Sequence, residues 1–306
     1  MLRYIVRRVL MLVPIFLILS FITFSLIYIV PGDPVIFMLG ERASQEEIAT
    51  IRAALGLDKP IHIQYLNFLW RLLHGDMGRS IFTKLPVIPY VLSKLPATIE
   101  LAVASLLIAV SIGIITGIIS AIKQNSIFDE FCRFFSLFGI SMPNFWLGLI
   151  LIYIFSLWLR WLPPSGSESL RNLILPAFTL GVSMTATISR LTRSSMLEVL
   201  RMNYIVTARA KGLRERIVIY KHALRNALIP VITIVGLQFS YLLGGAFIVE
   251  TIFAWPGMGR LAVEAMRQRD IPVVQGVLLI GTVTFVFVNL IVDILYMYID
   301  PRVRYE

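Results

Sequence analysis

Six apolar runs, each long enough to cross a bilayer as a helix, divide the chain: Val9 to Val30, Ile99 to Ile122, Phe134 to Leu159, Leu173 to Ser189, Ala227 to Val249 and Val274 to Ile299. A helix rising 1.5 Å per residue needs roughly 20 such residues to cover the hydrocarbon, and each window supplies them or nearly so. Between the first and second runs the pattern changes to helical amphipathicity. Ser44 with Glu47 forms a capping box, Ile48, Ile51 and Leu55 make one stripe, and Gly56 supplies a stop, which predicts a helix over Gln45 to Leu55. Pro60 opens a second, in which Ile61, Tyr65, Phe68, Leu69 and Leu72 recur up to His74, with Gly75 as the stop. Trp255-Pro256-Gly257 reads as a rigid turn before a short helix from Met258 to Arg267.

Composition agrees with this pattern. Of 306 residues, 58% are hydrophobic and only 15% charged, and the mean hydropathy is +0.82, so the chain carries more apolar surface than one water-soluble core can hide. With the N-terminus inside, sixteen of the 28 Lys and Arg fall in inner segments, nine of them between Arg190 and Arg225. Seven of the remaining twelve lie in the one long outer loop, which the positive-inside rule weights lightly. Both termini are therefore expected in the cytoplasm. The net charge of +10 follows from topology and does not point to nucleic acid. The expected architecture is an all-α membrane protein of six transmembrane helices: residues 1–30 with the first span, an extracytoplasmic helical cap over 31–98, and a core of five transmembrane helices over 99–306 with an inner segment at 190–226.

Most chemistry is excluded. No Gly-Lys pair exists to anchor a phosphate loop, so nucleotide hydrolysis must reside on another chain. Gly139-Ile140-Ser141 lacks a histidine base within a span, and Ser141 is read as a helix-packing residue beside Pro143. Cys132 is the single cysteine and there are three histidines, so no metal site is expected. The carboxylates assigned to spans, Glu100 and Asp293, stand at opposite faces and cannot form a protease dyad. Asp293 is expected to pair with Arg190 or Arg193 at the inner face, and Gly113, Gly117, Gly236, Gly244 and Gly245 to permit close helix packing.

The stretch from Arg190 to Arg225 alternates basic and apolar residues and is divided by Gly212. Asn203 is placed to cap a short helix from Tyr204 to Lys211. On composition alone this helix could lie on anionic lipid or dock into a partner protein.

Here the residues resemble a known family. YIVTARAKG followed by KHALRNALIP is similar to the cytoplasmic coupling segment of inner-membrane permease subunits of ABC importers, in the dipeptide, oligopeptide, glutathione and nickel branch, B-type subunit. The resemblance covers the whole chain, through PGDP at Pro31 to Pro34, GDMGRS at Gly75 to Ser80, LPATIEL from Leu95, SMPNFWLG from Ser141, LPAFTLG from Leu175, RLTRSSMLEVL from Arg190, VETIFAWPGMGRL from Val249, RD-P at Arg269 to Pro272 and DPRVR near the end. The general importer signature is degenerate: Val206 and Thr207 stand where Glu and Ala would be, Ala208 alone matches, and Pro230 lies further along than the usual spacing.

The resemblance implies half of a translocation path made with a similar C-type permease, two ATPase subunits that bind ATP and Mg, and an extracytoplasmic solute-binding protein, in a bacterial or archaeal cytoplasmic membrane. No cofactor is implied on this chain. Tyr204, Ile205, Val206, Ala208, Arg209, Lys211 and Gly212 are then the expected ATPase-coupling residues, with Ala208 inside the contact. Gly75, Asp76, Gly78 and Ser80 are the expected docking stretch for the binding protein. The expected cargo is a peptide or glutathione. Nickel would favour nitrogen or carboxylate ligands along the route, and a proton-coupled carrier acting alone would need ionisable groups in mid-membrane.

Overall fold

A computed structural model describes residues 2–29, 35–36, 44–54, 56–243 and 246–299, with side chains for most of these between 13 and 292. The PGDP stretch, Leu55, Gly244, Gly245, the basic side chains at Arg3, Arg7 and Arg8, the Asp293 side chain and the DPRVR end lie outside the described residues. Thirteen named helices are used below: α1 (Leu2–Ile29), α2 (Gln45–Ala54), α3 (Ile61–Leu73), α4 (Val87–Leu92), α5 (Leu95–Ile122), α6 (Ile127–Ser141), α7 (Asn144–Leu151), α8 (Leu170–Leu200), α9 (Asn203–Ala210), α10 (Glu215–Leu243), α11 (Phe247–Ile252), α12 (Met258–Gln268) and α13 (Ile271–Ile299). Among the described residues the one β pairing is an isolated antiparallel bridge between Arg79 and Pro86.

Four of these helices are long and apolar enough to cross a membrane, and a bent pair makes a fifth; the described part of α1, Val13–Tyr28, is a shorter apolar helix. The third run differs from its expected form. It is a broken span, α6 followed by α7 with a bend of 106°, because Pro143 lacks an N–H and forces Met142 out of the helical region to φ −81°, ψ 126°. α7 then widens into a π-helix over Ile152–Trp158. The fourth run is longer than expected: α8 continues for 31 residues, far past Ser189 into the basic segment.

The chain groups into two compact units. The first comprises Met1–Ala97 and Pro256–Val286, so residues 256–286, expected within the permease core, group with the N-terminal part. In it the capping box forms as read: Glu47 N–H donates to Ser44 Oγ at 3.2 Å, and Ser44 N–H to Glu47 Oε2 at 2.9 Å. That backbone hydrogen bond, together with the one from the Ser44 hydroxyl, holds the Glu47 carboxyl below the usual range. α3 ends where Gly75 turns left-handed at φ +73°, its carbonyls taken by Gly75 N–H (to Leu72) and Asp76 N–H (to Arg71). It packs on α1 through Tyr65, whose hydroxyl lies 2.9 Å from Ser20 Oγ, and through the ring of Phe24, 5.4 Å from that of Tyr65 and 5.7 Å from that of Phe68. Val87 and Val91 of α4 are fully buried against Gly276 of α13, where an added Cβ would run into Val87.

The second unit comprises Thr98–Trp255 and Phe287–Glu306. Its centre is the packing of α5, α6 and α10 on α8. Gly113 and Gly117 let α5 approach α8: a Cβ on Gly117 would sit 2.6 Å from Thr192 Cβ and 2.7 Å from the Ser189 carbonyl oxygen, and one on Gly113 2.9 Å from the Ile188 side chain. Thr116 Oγ1 crosses the same seam to Ser189 Oγ at 2.9 Å. In hydrocarbon no hydrophobic gain drives helices together, so this close approach and its polar contact are what hold the pair.

Candidate functional site

α9 begins at Asn203, but Asn203 is its first helical residue, with Met202 in the capping position and no side chain closing the end. The expected Asn203 cap is therefore replaced by backbone bonds, Ile205 N–H to the Met202 carbonyl at 3.0 Å among them. At the other end Gly212 adopts φ +75°, a conformation that costs an L side chain, and its N–H reaches the Arg209 carbonyl at 2.9 Å while Leu213 N–H reaches that of Ala208. The chain then reverses into α10.

The helix has two faces of different character. Ile205 is 0% exposed and Ala208 is buried, both packed into a cluster with Met196 and Val199 of α8 and Val218, Ile219 and Ala223 of α10. The sequence reading placed Ala208 within a partner contact; it instead belongs to this chain's own core, as does Ile205. Val206 is 57% exposed, and Tyr204, Thr207, Arg209 and Lys211 are exposed with it. Arg209 donates to Glu215 at 2.7 Å, which keeps its side chain lying along the turn around Gly212, and Asn226 Nδ2 donates to the Tyr204 hydroxyl at 2.8 Å. α9 is thus seated rigidly on α8 and α10, and its free surface is a small apolar and basic patch.

Next to this cluster, Ala121 at the end of α5 leads into a turn that returns as α6. Asp129, 0% exposed, accepts there from Arg193 Nε at 2.6 Å and Nη2 at 2.7 Å, from Asn125 N–H at 3.0 Å and from the Ser120 hydroxyl. Asp293 is expected to pair with Arg190 or Arg193; of the two, Arg193 is bound to Asp129 of α6, and the Asp293 side chain lies outside the described residues. Arg190 makes no ion pair among the described residues. Two further buried acids were not singled out from the sequence. Glu250, 0% exposed, accepts from Thr98 Oγ1 at 2.9 Å, and Asp270, nearly as deeply buried, accepts from Ser80 Oγ at 2.5 Å and Ile81 N–H at 3.2 Å. Glu250 lies at the edge of an apolar run among apolar neighbours, a local sign that its carboxylate must be satisfied within the fold, whereas Asp270 follows Arg267, Gln268 and Arg269 and carries no such sign.

Asp270 also revises the expected docking stretch. Ser80 is 2% exposed and turned inward onto Asp270, so it cannot touch a partner. Gly75 and Asp76 are exposed and Gly78 half-buried. Asp76 accepts from Gly78 N–H at 2.8 Å and from Arg71 Nε at 2.9 Å, and these two, the backbone bond first, hold its carboxyl below the ordinary carboxylate range. The stretch is a fixed loop with an exposed crest formed by Gly75, Asp76 and Arg79 and buried anchors at Met77 and Ser80.

Residues 113–305 match the family model of the binding-protein-dependent transport system inner membrane component, and residues 1–102 match that of the N-terminal part of such membrane components. The dipeptide transport system permease protein DppB of Alkalihalophilus pseudofirmus is 46% identical, with both chains covered in full. The glutathione transport system permease protein GsiC of Salmonella typhimurium and the DppB of Escherichia coli K12 are each 42% identical, again over the whole of both chains. Among solved structures, an inward-facing MetNI methionine ABC transporter shares the fold with a TM-score of 0.57 at 16% identity, covering 69% of this chain and 96% of that one. The chain belongs to the family of binding-protein-dependent transport system inner membrane components.

Proposed function

We propose that this chain is the B-type permease subunit of an ATP-driven importer for di- or oligopeptides or glutathione, and forms half of the translocation path with a C-type permease. The observation that carries the reading is α9: a short helix clamped by its buried face to α8 and α10, with Tyr204, Val206, Arg209 and Lys211 left for a partner. An ATPase engaging that patch would move two long helices at once, which is the mechanical requirement for transmitting hydrolysis to a membrane pore. Two ATPase chains supply ATP and Mg, since this one has no phosphate loop. The peptide or glutathione cargo follows from the names of the relatives matched over their full length.

In this reading six spans cross a bacterial cytoplasmic membrane, both termini and α9 are cytoplasmic, and residues 31–98 form an outer cap. The distribution of Lys and Arg supports that orientation. The crest of Gly75, Asp76 and Arg79 receives the solute-binding protein that delivers the ligand. Co-purification in mild detergent tests the assembly: ATPase and second permease subunits should accompany the chain in fixed ratio. Proteoliposomes of that complex should take up peptide only with ATP and binding protein. Uptake by the chain alone, driven by a proton gradient, would refute it.

A further inference from the structure

Within the second unit, a cleft runs along α8 between α5 and α6. Its upper part is a cavity of about 220 Å³ walled by Ile112, Phe131, Phe135, Phe178 and Val182. Its lower part, about 330 Å³, is lined by Arg133, Arg190 and Arg193 with Ser120 and Ser136. Cys132, Ser136 and Ser189 line both, so the two adjoin along α8. We propose that this cleft is a binding site for an anionic phospholipid, its acyl chain along the aromatic wall and its phosphate between Arg133 and Arg190.

Three observations support that occupant. The apolar wall is exposed where a soluble protein would bury it: Phe131, Phe135, Phe178 and Ile112 all present their side chains outward. Along α8, Phe178 to Ser189 rises about 16 Å, the depth of one leaflet's hydrocarbon, which is about 15 Å. The basic end begins at the next residue, Arg190, where a headgroup would stand. Charge complementarity completes the case. Arg193 is paired with Asp129 and Arg133 with Glu130 at 2.8 Å, so the three arginines lining the lower part outnumber the two acids bound to them among the described residues. Basic pockets between spans on the inner side favour anionic headgroups in this way. The inference rests on the cytoplasmic placement of Arg190 in the reading above.

The test uses the full complex in phosphatidylcholine nanodiscs doped with phosphatidylglycerol or phosphatidylcholine bearing a photoreactive diazirine in the acyl chain. Cross-linked peptides are read by mass spectrometry. The phosphatidylglycerol probe should label peptides containing Phe135 and Phe178 several-fold more than the phosphatidylcholine probe, and Arg190→Gln, alone or with Arg133→Gln, should abolish the preference. Equal labelling by the two probes in the unaltered complex would mean ordinary boundary lipid and overturn the proposal without reliance on any variant. Absence of labelling would mean that the second permease covers the cleft, and a preference that survives both substitutions would mean that the arginines do not read the headgroup; either result also overturns it. Both leaflets of the disc carry the probe, so an inverted topology would leave the preference intact and would show instead in labelling of Lys211 by impermeant amine reagents from the wrong side of sealed vesicles.

Discussion

Arg193 grips Asp129 with both arms of its guanidinium fork, Nε to Oδ1 at 2.6 Å and Nη2 to Oδ2 at 2.7 Å, across 64 residues of sequence. The pair joins α6 to α8 about two turns before α8 ends at Leu200. Any partner pushing on α9 therefore pushes against a helix pinned by a bidentate, charge-assisted contact, stronger and more directional than a neutral one.

Removing one member should be costly. Asp129→Asn leaves Arg193, mostly buried, without its counter-charge, and loss of one partner of a buried pair typically costs about 3–5 kcal/mol. Because Arg193 retains some access to water, the lower end is expected. Thermal unfolding of the detergent-solubilised complex should show the drop. A double-mutant cycle of Asp129→Asn with Arg193→Gln should return a coupling energy above about 1 kcal/mol.

The two faces of α9 separate stability from coupling. Ala208→Glu forces a carboxylate into an apolar cluster and should destabilise the subunit by roughly several kcal/mol, seen as lost expression and a lower melting temperature. Val206→Glu is on the free surface and should leave melting unchanged while lowering ATPase co-purification or the ratio of transport to hydrolysis. Unchanged transport with Val206→Glu would deny the patch its role.

Around 75–86 the crest and the anchor should also part. Replacing Gly75, Asp76, Gly78 and Arg79 by a Gly/Ser linker that keeps the buried Met77 should abolish stimulation of ATPase activity by loaded binding protein while basal hydrolysis survives. Ser80→Ala should instead lower stability by about 1–3 kcal/mol, by removing a donor from a buried carboxylate. Intact stimulation with the linker would make the loop only a lid.

Gly117 and Gly212 should differ sharply when replaced by alanine. At Gly117 the new methyl meets Thr192 and a backbone oxygen that cannot move aside, so α5 and α8 must separate, and overpacking of that kind costs about 1–3 kcal/mol or more. At Gly212 the space is open and only the left-handed backbone is strained, about 1–2 kcal/mol. Melting curves of the two variants rank the effects.

Features set by neighbours in sequence were legible. Ser44 and Glu47 are three apart, Gly75 follows a helical stripe directly, and Gly113 and Gly117 share one helix face, so local periodicity was enough. What the sequence concealed depends on contacts between distant segments. Ser80 and Asp270 are 190 residues apart and Thr98 and Glu250 are 152 apart, and nothing local indicates which distant donor meets each acid. The sidedness of α9 was hidden for a related reason: its apolar residues, Tyr204, Ile205, Val206 and Ala208, surround the helix, and only α8 and α10 select which of them are covered. Pro143 was noticed, but hydropathy alone reads straight through a proline, so the bend at Met142 was not foreseen.

The π-helical turns of Val218–Ala223 carry a surplus residue relative to an α-helix before α10 resumes. The wide turn absorbs that residue, so the helix on its two sides keeps its facing. Deleting one residue there would let the backbone relax into ordinary helix with little change of phase, whereas deleting one from the regular helix just after Ala223 would turn the following stretch by about 100°. Ala227 would leave the cluster under α9, and Gly236 would no longer face Val292. A one-residue deletion should therefore be tolerated within Val218–Ala223 and not in the regular helix that follows, since the first alters one wide turn and the second every contact of α10 beyond it.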